Sequence, residues 1–230
     1  MLGDLCTMIV TIDGPAGSGK STTAQAVARR LGFRHLDSGA FYRALTLAAL
    51  RAGVSPEIWD SLEMQELAAL AVSAKPDAEG FRLLVDGQDV ATRLRSPEVN
   101  ANVSRMARVP AVRRWLMDRL RGAAENCDLV ADGRDMGTVV FPHAEVKVFL
   151  TADVGERATR RLVQQGEDHP RPAEIDAEVA RLAERDRIDS ERTVAPLRRA
   201  EDAIAIDNTS LTFDEQVEYI VALVRSRSRT

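Results

Sequence analysis

The sequence predicts an α/β protein in which a central parallel sheet is flanked by helices on both faces and carries a small antiparallel insert. Three observations lead there. Short apolar, β-forming runs at 8–12, 128–131, 146–150 and 203–206 are separated by helical stretches at 22–31, 38–52, 109–125, 154–165, 174–188 and 214–224. Such alternation implies a parallel sheet with ligands at the carboxyl ends of its strands. A glycine-rich loop joins the first run to the first helix. One segment, 81–90, breaks the alternation: it places Asp86-Gly87 between β-forming residues, a strong hairpin signal. Roughly residues 70–104 therefore read as an antiparallel insert.

The first strand, Met8-Ile9-Val10-Thr11-Ile12, leads into Gly14-Pro15-Ala16-Gly17-Ser18-Gly19-Lys20-Ser21, and Thr22 begins a helix with Ala24, Val27, Ala28 and Leu31 at helical spacing. The eight residues fit G-x-x-x-x-G-K-[S/T], and the strand–loop–helix order is the context that pattern requires. Glycines let the backbone wrap around anionic oxygens, so successive N–H groups and the helix N-terminus face a phosphate chain. Lys20 is expected to reach the β- and γ-phosphates, and the Ser21 hydroxyl to ligate Mg²⁺. The loop thus reads as a nucleoside triphosphate site.

Composition bounds the rest. At 230 residues, 45% hydrophobic and 29% charged, the chain is an ordinary globular one rather than disordered or low-complexity. No apolar run approaches the ~18 residues of a membrane span, and residues 1–7 do not resemble a secretory signal. Two cysteines, Cys6 and Cys127, are too few for a disulfide framework and fit a reducing, cytoplasmic setting. The net charge of −4 argues against a protein that coats nucleic acid. The 31 basic residues include only Lys20, Lys75 and Lys147 as lysines. Arginine dominates, and its rigid fork matches phosphate and carboxylate.

The sequence lacks the Asn-Lys-x-Asp base-reading element of switch GTPases and the Ser-Gly-Gly signature of transport ATPases. Instead, Asp37-Ser38-Gly39-Ala40-Phe41-Tyr42-Arg43 closes a short strand and opens a helix, with Ser38 as the expected N-cap. A Phe41, Leu45 and Ala48 stripe would turn Arg43 away from the core. A second strand end, Asp132-Gly133-Arg134-Asp135, places two carboxylates and an arginine at the ligand edge. Asp132 is the natural carboxylate to hold Mg²⁺. Asp13 is expected to brace the glycine loop. His35, His143 and His169 fit no ligand spacing, and Arg160, Arg181 and Arg187 read as solvated charges. Trp59 and Trp115 read as packing residues.

LDSGAFYRALT (36–46), VADGRDMGTVVFP (130–142), VKVFLTAD with ERATRR (146–161), RDRIDSERTVAPL (185–197) and AIAIDNTSLT (203–212) together resemble bacterial cytidylate kinases, from about Met8 to Val224. The resemblance implies a P-loop kinase fold with a monophosphate-binding insert and a short lid. It implies ATP as donor, Mg²⁺ as cofactor, and CMP and dCMP as acceptors. Ser104, Arg113 and Asp135 match positions that read cytosine, and Arg185 and Asp189 a sugar-contacting pair. Arg43, Arg134 and Arg192 match residues around the acceptor phosphate, with Ser38 beside them. Arg157 and Arg161 resemble lid arginines that close over ATP. Lys20, Asp132, Arg134, Arg157 and Arg161 form the expected catalytic set; Gly14 through Thr22 form the donor site.

The expected organisation is a single kinase domain over 8–225, with the insert at about 70–104, a lid at about 157–192, and flexible tails at 1–7 and 226–230. The resemblance adds a monomer acting on free nucleotides; the cytoplasmic setting and the expectation of no nucleic acid or membrane partner rest on the composition above. Two other readings stay open: the same fold acting on UMP or AMP, and a nucleotide-binding switch without transferase activity.

Overall fold

A computed structural model of the chain describes residues 8–227. Five parallel strands form the main sheet in the order β2-β6-β1-β7-β8: β1 (Ile9–Asp13), β2 (Arg34–Asp37), β6 (Leu129–Gly133), β7 (Val146–Thr151) and β8 (Ile204–Asp207). The sheet divides two apolar layers. Leu36, Leu129 and Ala131 face one layer, packed with Phe41, Leu45, Trp59 and Trp115. Val10, Ile12, Val130 and Val148 face the other, packed with Ala24, Val27, Ile220 and Val224. Being covered on both sides is why β1 and β6 are largely continuous apolar runs rather than alternating ones.

Helix α1 (Lys20–Leu31) starts at Gly19 and stops at Gly32, both left-handed, with φ of 82° and 74°. Gly32 is a typical glycine terminator, its N–H bonding back to Ala28 and Arg29 carbonyls. Helix α2 (Ser38–Arg51) corrects one expectation. Asp37, not Ser38, is its N-cap, accepting from the Ala40 N–H at 3.0 Å. The helix is buried nearly all round from Phe41 to Ala49, and Arg43 is only 8% exposed. The reason is that α2 packs between the main sheet and the insert, so no face is left to solvent.

Helix α3 (Met64–Ala69) leads into the insert, which holds a three-stranded antiparallel sheet, β3 (Val72–Pro76), β4 (Phe81–Val85) and β5 (Gln88–Asp89). Asp86 and Gly87, with φ of 50° and 74°, make the tight turn between β4 and β5. Helices α4 (Pro97–Met106) and α5 (Pro110–Ala123) follow and return the chain to β6. The His35 N–H donates to the Glu79 carbonyl at 3.0 Å, fastening the turn between β3 and β4 onto the edge strand β2.

Helices α6 (Val154–Gln164) and α7 (Pro172–Glu191) form a hairpin beside the glycine loop, where Ala16, Ala158 and Leu182 make a small buried cluster. The final helix, α8 (Phe213–Arg227), is longer than expected, so residues 226 and 227 are helical rather than a tail. Residues 1–7, with Cys6, and 228–230 lie outside the described residues.

Gly80 tests the docking of the insert. A Cβ there would lie 2.5 Å from the His35 carbonyl oxygen, a backbone atom that cannot turn aside. Gly80→Ala is expected to cost about 1–3 kcal/mol in urea unfolding. Gly122→Ala, with nothing within 4 Å of its Cβ inside α5, is expected to be neutral or stabilising by up to ~1 kcal/mol.

Candidate active site

Strand register brings the site together. Asp13 pairs with Gly133 and Asp37 with Asp132, so three strand ends deliver carboxylates and the glycine loop to one level of the sheet's carboxyl edge. There a cleft of about 740 Å³ opens between the glycine loop, the insert and the α6–α7 hairpin.

On the donor side, Gly17 and Gly19 take φ of 77° and 82°, curling the loop. Asn208 donates to the Ser18 carbonyl at 3.0 Å, and Gln216 donates to the Thr23 hydroxyl at 2.7 Å, so the end of β8 and α8 brace the loop from behind. The Ser18 hydroxyl is buried without a hydrogen-bond partner among the described residues. Lys20 donates to the Pro15 carbonyl at 3.0 Å. Burial, followed by the positive charge of Arg134, lowers its pKa to about 7. Ser21 donates to Asp132 at 2.5 Å.

That hydroxyl–carboxylate pair fits Mg²⁺, a hard ion held by one or two protein oxygens with phosphate and water completing its shell. Among the described residues there is no cluster of three His, Cys, Asp or Glu able to hold a metal without a ligand's help. Asp13 is placed differently from expectation: its carboxylate accepts from the Met136 and Gly137 N–H groups at 2.9 and 2.7 Å. It therefore shapes the wide helical turn 136–140 after Asp135 rather than the glycine loop. Burial pushes its pKa up to about 6 against the pull of those two amides.

On the other side stand the arginines. Arg134 donates to Asp189 at 2.8 Å and lines the cleft. Arg43 donates to Asn100 at 2.6 Å and to the Leu94 carbonyl at 3.1 Å. Arg113 is buried beneath the cleft, ion-paired to Asp135 and lying over the Tyr42 ring. Arg192 approaches Asp135 and Asp189 at 3.7 and 3.5 Å. Arg185 lines the cleft with its Nε buried and without a hydrogen-bond partner among the described residues. Burial and then Arg134 lower the Arg185 pKa to about 9; burial and then Arg95 lower Arg43 to about 10. For Asp189, burial alone would raise the pKa, but Arg134, Arg192 and Arg185 outweigh it and hold it low. The crowd holds more positive charge than its carboxylates balance, as an anion site should.

Ser38, Ser104 and Arg161 also line the cleft. The Ser38 hydroxyl donates to the Asp132 carbonyl at 2.7 Å, and Arg161 faces Glu178 at 2.8 Å. Arg157 does not reach the cleft. Its guanidinium passes behind the glycine loop, donating to the Ala16 carbonyl at 2.7 Å and to Asp186 at 2.6 Å. The expectation that it closes over ATP is corrected accordingly: it lies one helical turn from Arg161, on the face of α6 packed against the loop.

Two residues escaped the sequence reading. Arg160 lines the cleft and donates to the Asn208 side chain and to the Asn208 and Thr209 carbonyls, so it is no solvated charge. His35 meets Asp132 at 2.7 Å. Burial opposes its charge, but the hydrogen bond and charge of Asp132 prevail and raise its pKa. Strand alternation placed His35 on the same side as Asp37, a signal visible only once the pairing of β2 with β6 is known.

A glycine loop feeding α1 at the carboxyl edge of a parallel sheet, opposite an arginine-lined acceptor space, defines a P-loop phosphotransferase. A solved structure of an uncharacterized protein from Eubacterium ventriosum aligns with 96% of this chain and 99% of that one at a TM-score of 0.51 and 13% identity, which shows the fold alone. The family model for cytidylate kinase matches residues 10–226. The cytidylate kinase of Vibrio cholerae is 45% identical over 96% of this chain and 97% of that protein. That of a Geobacillus species is 44% identical over 95% and 96%, and that of Solibacter usitatus 42% over 96% and 93%. The chain belongs to the cytidylate kinase family.

The Lys20 environment generates a prediction. Above pH 7 the nucleotide-free lysine is mostly neutral, and phosphate oxygens beside it raise its pKa, so triphosphate binding at pH 8 should take up a proton. By pH 6 the lysine is already charged and its uptake should fade. Titration calorimetry of ATP in buffers of differing ionisation enthalpy measures this, and Lys20→Met is expected to abolish the lysine-linked part.

Proposed function

We propose that the chain transfers the γ-phosphoryl group of ATP to CMP and dCMP, giving ADP with CDP or dCDP in pyrimidine nucleotide metabolism, with Mg²⁺ at Ser21 and Asp132. The observation that carries this reading is one cleft with two anion sites: Lys20 and the glycine loop on one wall, and Arg43, Arg134, Arg185 and Arg192 on the other.

No general base is needed. The nucleophile is an acceptor phosphate oxygen, already largely ionised near neutrality. The barrier is therefore the repulsion between a dianion and a polyanion, and the chain's task is to cancel it. Lys20 and Arg134, at the meeting point of the two walls, balance charge on the phosphoryl group in flight. Mg²⁺, when bound, shields the donor phosphates. Arg43 and Arg192 hold the acceptor phosphate, with Ser38 keeping the Asp132 strand end beside it. Ser104, Asp135 and Arg113 read the cytosine: one carboxylate for its amine, one guanidinium for its acceptor edge. Arg185 and Asp189 contact the sugar. Arg161, joined by Arg160, covers the donor and keeps out water, which would otherwise hydrolyse ATP.

The organisation that goes with this is a single kinase domain over 8–225, with an acceptor-binding insert at about 70–104 and a lid at about 157–192. The net charge of −4 supports free nucleotides rather than nucleic acid as partners. No described helix is long and apolar enough to cross a membrane. A cytoplasmic monomer is the arrangement we infer.

The decisive experiment is ADP release measured with CMP, dCMP, UMP and AMP. CMP and dCMP should be preferred; a preference for AMP would overturn the reading. Asp135→Asn should erase most of that preference. Arg134→Ala is expected to lower kcat by about 10³-fold or more with a modest change in unfolding midpoint, and unchanged turnover would remove Arg134 from the mechanism.

A further inference from the structure

The outer side of the glycine loop carries a contact that the transfer chemistry does not use. Asp186, on α7, accepts the Ala16 N–H at 2.8 Å through one oxygen and the Arg157 guanidinium at 2.6 Å through the other. The same guanidinium donates to the Ala16 carbonyl at 2.7 Å, and its Nε donates to the Ala152 carbonyl at 3.1 Å. Both polar groups of Ala16 are thus taken from outside, by two side chains that are themselves paired. Ala16, at 1% exposure, seats on Ala158 and Leu182. A Cβ on Gly17 would meet Arg157 Cβ at 3.4 Å, so the helices press directly on the loop.

We propose that Asp186, acting with Arg157, is a positioning residue for the triphosphate site. It holds the crown of the glycine loop in its phosphate-ready curve before the nucleotide arrives. The physical need is clear: a loop rich in glycine loses more conformational freedom on ordering than any other. Unless the fold meets that cost in advance, it is taken from binding affinity. A carboxylate that binds an amide and a guanidinium together clamps the loop more firmly than a neutral acceptor. Asp186 sits between Arg185 and Asp189, the two α7 residues facing the acceptor, yet points to the donor loop. Its effect should therefore separate from theirs.

The proposal rests on the reading of this loop as the ATP site. The test compares the full-length wild type with Asp186→Ala, Asp186→Asn, Arg157→Ala and the Asp186→Ala/Arg157→Ala pair. Direct titration with a fluorescent ATP analogue is set beside steady-state kinetics and unfolding midpoints. Losing a charged hydrogen-bond partner of the loop should raise Kd and KM for ATP about tenfold or more, with KM for CMP and kcat at saturating ATP within about twofold. Asp186→Asn keeps an oxygen for the Ala16 N–H but loses the pair with Arg157, so it should shift ATP binding by a smaller factor. It also serves as the test should Asp186→Ala fail to fold. The double variant should be no worse for ATP than the poorer single one, because the two side chains act as one clamp. Unchanged ATP affinity in Asp186→Ala, or in Asp186→Asn if only that folds, would overturn the proposal. So would a parallel rise in both KM values, or a loss confined to the unfolding midpoint. A wild type that binds the ATP analogue without phosphorylating CMP would count against the proposed function and leave the clamp testable by titration.

Discussion

Positive charge crowded away from water is the constraint around which this molecule is arranged. Lys20, Arg43, Arg134, Arg161, Arg185 and Arg192 share a cleft with too few carboxylates to balance them. Two like charges about 6 Å apart repel by about 3 kcal/mol at an effective dielectric of ~20. The protein carries that repulsion in its free state: burial first, and neighbouring arginines second, lower the pKa values of Lys20, Arg185 and Arg43. Phosphates relieve it. In the proposed function, the same crowding that costs folding stability becomes binding energy for a triphosphate and a monophosphate, and it favours most the state in which their charges are closest.

Asp135 and Asp189 are therefore placed to hold arginines apart and aimed, rather than to remove protons. Asp189 fixes Arg134 and stands near Arg192; Asp135 fixes Arg113. Asp13 sits a layer deeper and sets the turn from which Met136 and Gly137 hang, so that Arg134 and Asp135 leave the end of β6 in a defined direction. Breaking one of these pairs leaves a buried cation uncompensated, which costs more than the pair is worth intact. Structure and function are thus loaded onto the same residues.

The framework around the cleft has two kinds of connection. The main sheet holds strand ends in register, and Asp132 is reached from three directions: by Ser21 from α1, by His35 from β2 and, at its backbone carbonyl, by Ser38 from α2. The insert and the α6–α7 hairpin are, besides their apolar packing, tied on by specific hydrogen bonds. His35 meets the Glu79 carbonyl on one side, and Ala16 meets Asp186 and Arg157 on the other. These are the places where a movement of either flank would be felt by the phosphate-binding groups.

Much of this was legible in one dimension. The glycine loop, the strand and helix alternation, the Asp86-Gly87 turn and the family resemblance all depend on local chemistry or on ordered spacing, which a chain displays before it folds. The directions of side chains were not. The apolar stripe turned Arg43 off the core but did not show that it would meet Asn100 and the Leu94 carbonyl; Arg157 was expected over ATP, yet it passes behind the loop; Arg160 and His35 were set aside, yet one lines the cleft and the other touches Asp132. Whether an arginine on a helix meets solvent, a carboxylate or a phosphate depends on which distant segment packs against that face. A periodicity of 3.6 residues says which residues share a face but not what lies opposite. Residue types and spacing were enough to reveal a triphosphate-type loop; distant packing chose which arginines line the cleft beside it and which brace the loop from behind.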